Sequence, residues 1–207
     1  MKRTMKNPKT LILTSALCMF AGTASANLIT NGSFEEPGVD SGWAYFSADN
    51  VNGWEGSNVE IWESGFNGVN SFDGDQHAEL NAHGENEGAW TLYQDITTTP
   101  GEAYELFFAY RARNNTNESF RVSAVGSDFG WSKNDHTTDQ WSVFEETFVA
   151  GSELTRIQFE ATNPSEGTVG NFLDDVRVTS AKVPAPGTLA LFGLGLLGLG
   201  ASRKRSK

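Results

Sequence analysis

The stretch AYELFFAYRAR, residues 103–113, alternates strictly. Tyr104, Leu106, Phe108 and Tyr110 fall on one side of an extended chain, and Glu105, Phe107, Ala109 and Arg111 on the other. Side chains of a strand point to opposite faces with a period of two, so this pattern marks a strand with one face toward an apolar core. Working outward, strand patterns recur in NLIT (27–30), VEIW (59–62), QHAELN (76–81), WTLYQDI (90–96), FRVSAV (120–125), WSVFEETFV (141–149), RIQFEA (156–161) and FLDDVRV (172–178). No long apolar period of 3.6 residues appears between Asn27 and Lys182. Asn31-Gly32, Asn52-Gly53, Asp73-Gly74 and Pro100-Gly101 supply tight turns where a positive or fixed φ is needed. Roughly eight or nine short strands without a helix predict an all-β domain over residues 27–182. Its expected form is a single antiparallel two-sheet β-sandwich of the jelly-roll kind.

The flanks carry a different message. Lys2, Arg3, Lys6 and Lys9 precede an apolar run from Leu11 to Ala21, and Ala24-Ser25-Ala26 follows. A basic region, a short apolar region and an A-x-A site read as a secretory signal over residues 1–26, cleaved after Ala26. The one cysteine, Cys18, lies inside that signal. The mature domain therefore has no disulfide and depends on core packing or metal.

Charge is distributed just as unevenly. Of 15 Lys and Arg, four sit in the leader and four (Arg203, Lys204, Arg205, Lys207) at the far end. All 26 Asp and Glu lie between, which leaves seven against 26 and a net charge of −19 for the central domain. A field of that sign repels phosphate backbones and anionic lipid and attracts divalent cations, so nucleic acid is not an expected partner.

Residues 183–207 read VPAPGTLALFGLGLLGLGASRKRSK. The uncharged run Gly187–Ala201 is shorter than the ~20 residues a helix needs to cross a bilayer core, and its glycines weaken it further. The basic cluster would remain cytoplasmic, leaving the acidic domain outside. Such a segment suits transient inner-membrane association rather than permanent anchorage. The order Pro184-Ala185-Pro186, apolar run, basic end resembles the PEP-CTERM sorting signal of Gram-negative bacteria. The one departure is Ala185, where that class usually carries Glu. The resemblance implies processing by an exosortase-type membrane protease and delivery to the cell surface or exopolysaccharide matrix.

Within the domain, NLITNGSFEEPG, Gly42-Trp43 and the GWE at Gly53 resemble the opening of galactose-binding-like jelly rolls, a superfamily rich in carbohydrate-binding modules. VEIWESGFNGVNSFDGDQHAELN, LYQDITTTPGEAYELFFAYRAR and GNFLDDVRV continue the likeness in order. The resemblance implies a structural calcium at Glu35 and Asp174, with Asp175 the alternative if strand parity shifts by one. Oxygen ligands suit that hard cation, and alternation sets Asp174 on the face of Val176 and Val178, where an inward carboxylate needs a partner. The other reading of Asp174 is a carboxylate satisfied by backbone N–H groups.

His77, Glu79, Asn81 and His83 share a face by alternation, but on a straight strand the two histidines would be about 20 Å apart, too far for one ion. That face is expected to be solvated, with Ala78, Leu80 and Ala82 inward. No nucleophile elbow, thiol or phosphate-cradling loop appears, and no motif marks a catalytic acid and base, so the domain reads as non-catalytic. Among six tryptophans, Trp62, Trp90 and Trp141 fall in strands as core, and Trp54 plugs one end of the sandwich. Trp43 and Trp131, in Gly-rich loop-like stretches, remain as sugar-stacking candidates, with Arg111 and Arg113 as polar neighbours. Two functions follow as alternatives: an exported module that binds polysaccharide or another glycan, and a calcium-stabilised structural protein of the surface or biofilm matrix with no sugar site.

Overall fold

A computed structural model describes residues 26–84, 90–165 and 167–181. The signal region with Ala24, and the tail with Pro184, Ala185 and Pro186, lie outside them. Eleven strands follow in order: β1 Trp43–Phe46, β2 Glu55–Gly56, β3 Val59–Glu63, β4 Gln76–Glu79, β5 Thr91–Thr97, β6 Ala103–Arg111, β7 Ser119–Val125, β8 Asp128–Lys133, β9 Ser142–Val149, β10 Leu154–Asn163 and β11 Phe172–Ser180. They form two antiparallel sheets, one ordered β1-β3-β4-β11-β6-β9 and the other β2-β5-β10-β7-β8. Two single 3₁₀ turns, Ala48–Asn50 and Phe66–Gly68, are the only helical segments among the described residues.

Alternation builds the core as expected. Tyr104, Leu106, Phe108 and Tyr110 of β6 are buried and join Val122, Ile157, Phe159, Val176 and Val178 between the sheets. Phe108 packs face to face with Phe144 and edge-on to Phe159, at 4.7 and 5.1 Å between ring centres. Trp54 is buried, stacks on Phe34 at 5.1 Å, and donates its indole N–H to the Asn31 carbonyl at 3.0 Å. It also lies 6.3 Å from Phe159 and belongs to the main core.

Three departures matter for the site. NLIT is no strand, although it does lie beside β11. The amide of Leu28 donates to the Val178 carbonyl at 2.8 Å, and Val176 donates to Gly32 at 2.9 Å. Between them the side-chain oxygen of Asn27 takes the amide of Val178, so a side chain replaces the ladder bond a strand would make. Gly32 permits this approach: a Cβ there would stand 2.0 Å from the Val176 carbonyl oxygen.

The stretches holding Trp43 and Trp131 are not loops but the edge strands β1 and β8. An edge strand pairs on one side only, and neighbouring glycines hide its alternation.

The third departure concerns the face carrying His77, Glu79 and Asn81, which is buried rather than solvated. Residues around Phe66 and Val69, together with Trp141, fold over it and form a second apolar cluster with Trp62 and Phe172. Trp141 accordingly sits half-buried just before β9 rather than inside it. The outer face of the six-stranded sheet is thus covered around β4, while Trp43 and Tyr45 on β1, like Val143 and Val149 on β9, are exposed.

Candidate functional site

Glu60 of β3 and Glu79 of β4 stand directly opposite in the sheet register, and both are fully buried on the outer face. Like charges so placed repel unless other groups compensate. The Arg113 guanidinium bonds both oxygens of Glu79, at 2.9 and 2.7 Å, and lies 4.0 Å from Glu60. The amide of Gly170 adds a bond to Glu79 at 2.7 Å. Burial holds the Glu79 carboxyl well above the usual carboxylate range against the pull of Arg113, and the Glu60 charge pushes the same way. Glu60 accepts the Trp62 indole N–H at 3.1 Å, the His83 amide at 3.1 Å, and a short contact from His83 Nδ1. Arg113 is itself fixed from behind: buried Glu118 accepts the amides of Arg113, Asn114 and Asn115 at 2.6, 2.7 and 3.0 Å.

On this base stand the exposed rings. Trp43 and Tyr45, two residues apart on β1, are 37% and 52% exposed. His83, held through its other ring nitrogen by Thr168 at 3.1 Å, stacks under Trp43 at 4.9 Å and lies 6.4 Å from Tyr45. Trp43 is also 6.5 Å from Trp62, over whose ring the Arg113 guanidinium sits at 4.5 Å. Beside them a cleft of about 260 Å³ is lined by Trp62, Asn67, Val69, Arg113 and Phe172, among others. Chemically this is an exposed aromatic surface with polar groups at its margin, resting on buried carboxylates that are hydrogen-bonded.

The four sugar-contact candidates therefore divide. Trp43 and Arg113 belong to one cluster, linked through Trp62. Arg111 lies on the same sheet face but donates to the Thr138 carbonyl, beneath the segment leading to Trp141. Trp131 sits on β8 against Phe144 of β9, at 6.2 Å, on the opposite edge of the sandwich from Trp43. Tyr45 and Glu60 were missed in the sequence, whereas Glu79 and His83 were named there but set aside as part of a solvated face. The spacing Trp43-x-Tyr45 was the available signal for Tyr45, whereas nothing local marks Glu60 and Glu79 as opposite partners.

The acidic candidates do converge, on a loop. Asp174 accepts the amides of Phe72 and Asp73 at 2.7 and 3.0 Å and that of Asp175 at 2.7 Å. Glu35 accepts the amides of Asp75 and Gln76 at 2.9 and 3.0 Å. Together they clamp residues 72–76 onto the sheet. The β11 register slips between Asp174 and Arg177, and Asp175 takes a left-handed φ of 48°. This bulge turns Asp174 to the outer face beside Ala109, away from Val176 and Val178, so the inward parity expected for it does not hold. Asp175 pairs with Arg177 at 3.0 Å. Burial raises the Asp174 carboxyl to about 8 despite its three N–H donors.

Three N–H donors take up most of the acceptor sites of Asp174. No group of three or more His, Cys, Asp or Glu is arranged to hold a metal among the described residues. The clamp predicts its own weak point: at Gly74, with φ +63°, an added Cβ would meet Glu35 at 2.2 Å. Gly74→Ala should cost roughly 1–3 kcal/mol in urea unfolding; an unchanged midpoint would show the clamp to be dispensable.

Several solved structures share the sandwich. An arabinose-bound MgGH51 α-L-arabinofuranosidase matches at TM-score 0.51 and 10% identity, over 77% of this chain and 27% of that one. TmCBM61 in complex with β-1,4-galactotriose gives 0.48 and 17%, over 76% and 100%. The CBM22-1 xylan-binding domain of Paenibacillus barcinonensis Xyn10C gives 0.45 and 15%, over 79% and 100%. No curated protein matches. No helix among the described residues is long and apolar enough to cross a membrane. A PEP-CTERM protein-sorting motif matches residues 182–205, which marks an exported protein sorted through the membrane. The domain before it is matched over residues 27–179, and the chain belongs to the family described as "Protein of unknown function (DUF642)".

Proposed function

We propose that the protein is an exported, non-catalytic glycan-binding module. In this reading an exosortase-type protease acts on its tail, and the mature domain resides at the cell surface or in the exopolysaccharide matrix. The observation that carries the reading is the pair of exposed rings, Trp43 and Tyr45, on a base fixed by His83, Glu60 and Arg113. Aromatic faces stack on the apolar C–H faces of sugars, and a surface that is already ordered loses little entropy on binding. Glycan-bearing neighbours of the same fold agree with it.

Trp43→Ala should weaken binding to any glycan found on an array by at least about tenfold, equivalent to ~1.4 kcal/mol. Trp131→Ala, on the far edge, should leave that affinity unchanged. Equal binding by Trp43→Ala and the unaltered protein would end this assignment of the site. Hydrolysis is not proposed. Glycosidase carboxylates must reach the scissile bond, whereas Glu60 and Glu79 are fully buried and already bonded.

Calcium is retained as a proposed structural ligand at Glu35, Asp174 or Asp175. What supports it is a cluster of carboxylates answered by one guanidinium: burial raises the Asp175 carboxyl, Arg177 opposes, and the Asp73 charge adds to the rise. If calcium binds the folded form, excess chelator lowers the melting temperature. An identical melt with and without chelator would leave the N–H clamp as the whole explanation. The structural alternative, a matrix building block without a sugar site, predicts no retention by any glycan.

A further inference from the structure

We infer that the Trp43–Tyr45 surface takes neutral or amine-bearing glycans and turns away those carrying carboxylate, sulfate or pyruvyl groups. This rests on the glycan-binding reading and narrows it to a chemical class. Selective recognition of a carboxylate or sulfate calls for an available guanidinium or ammonium, Arg above all because its planar fork matches the anion.

The six Lys and Arg side chains of the described residues are engaged or remote. Arg113 is committed to Glu79, Lys133 to Asp135 at 3.4 Å, Arg156 to Asp95 at 2.8 Å and Arg177 to Asp175 at 3.0 Å. Arg111 donates to the Thr138 carbonyl. Arg121 lies on β7 of the other sheet, directly across from Glu160 of β10. Arg113, linked to Trp43 through Trp62, has its Nη1 spent on Glu79 and the Thr168 carbonyl and its charge answered by two buried carboxylates.

Acidic groups do border the platform. Glu63 accepts the amide of Gly42, next to Trp43, at 3.0 Å, and Asp40 is exposed just before it. The domain as a whole carries 26 acidic residues against few cations. Such a surface sets up a negative potential of several kT. An anionic sugar would bring its charge into that field, where the guanidinium at hand, Arg113, is already answered by Glu79 and Glu60, whereas a protonated amine would be drawn in.

The test uses the full chain after removal of its leader. Neutral cello-, xylo- and galacto-oligosaccharides are titrated calorimetrically beside charged counterparts: chitosan oligosaccharides, glucuronoxylo-oligosaccharides and oligogalacturonides. Titrations are run at about 0.01 M and about 0.15 M salt, where charges are screened over ~30 and ~8 Å. The expected result is binding of at least one neutral or amino glycan. Its uronate counterpart should bind at least about tenfold more weakly at low salt, with the gap narrowing at high salt. Equal or tighter binding of the uronate would overturn the charge selection and leave the glycan site standing.

No binding by any glycan, neutral or charged, would remove both readings together. Binding of the chitosan series that survives both Trp43→Ala and Tyr45→Ala would reveal ion exchange on the acidic surface at large, and would also overturn the inference.

Discussion

Arg113→Met is expected to destabilise the domain by about 3 kcal/mol at neutral pH, the lower end of the usual cost of removing one partner from a buried pair. The lower end applies because the Arg113 side chain is a quarter exposed, whereas Glu79 and Glu60 are fully buried. Without the guanidinium two carboxylates face each other across β3 and β4 with no cation beside Glu79. Glu79 is already held well above the usual range by burial, and losing Arg113 raises it further. A folded-state carboxyl that binds protons more tightly than the unfolded one gains stability as pH falls.

The deficit of Arg113→Met should therefore shrink in urea melts as the pH is lowered from 7.5 to about 5. The double variant Arg113→Met/Glu79→Gln should recover part of the loss by removing the stranded charge. A deficit independent of pH would locate the role of Arg113 in its stacking on Trp62 rather than in charge. Since Trp43 leans on the same Trp62, the single variant should also loosen the exposed platform.

The second large effect comes from two buried histidines. His136 lies edge-on to Tyr110 and Phe120, at 5.0 and 5.2 Å, and among the described residues only Asn171 comes near its ring as a polar partner, without a well-formed hydrogen bond. Burial lowers it to about 4, with the Lys133 charge adding and Asp135 opposing. His77 meets Ser71 through Nδ1 at 3.0 Å and has no partner at Nε2. Burial, and then the charge of Arg111, lowers it to about 3.

An unfolded histidine takes its proton near 6.5. Between that value and 3–4 the unfolded chain binds more protons, so stability falls with falling pH by ~1.4 kcal/mol per unit for each ring. Asp174, raised to about 8, works the other way, stabilising the fold as pH drops from 8 toward 4. Because these terms oppose each other, the informative quantity is a difference between variants. His136→Phe should lose about 2–3 kcal/mol less than the unaltered domain on going from pH 7 to 4.5. Parallel stability curves for the two proteins would mean that His136 charges freely in the folded state.

Where the sequence was legible, it was legible for local reasons. Alternation along AYELFFAYRAR placed four aromatic and aliphatic side chains of β6 in the core, because period-two burial follows from backbone geometry alone. The sorting signal, likewise, is a linear order of motif, apolar run and basic cluster. The same local logic erred at HAELNAH: it gave the right parity but could not show that Phe66, Val69 and Trp141 would cover the second face. It also erred at Asp174, where a bulge of one residue reversed the side on which the carboxylate stands.

Edge strands β1 and β8 went unseen because a strand with one partner, broken by Gly130 or shortened to four residues, carries too little pattern. The sequence alone therefore determined the all-β class, the acidity of the chain and its sorting tail, since each is set by neighbours along the chain. Tertiary structure alone decided that Glu60 meets Glu79, that Arg113 answers the pair and that Trp43 rests on His83 while Trp131 stands on the far edge. Those contacts join residues far apart in the chain through sheet order, and strand pairing leaves no trace in local composition.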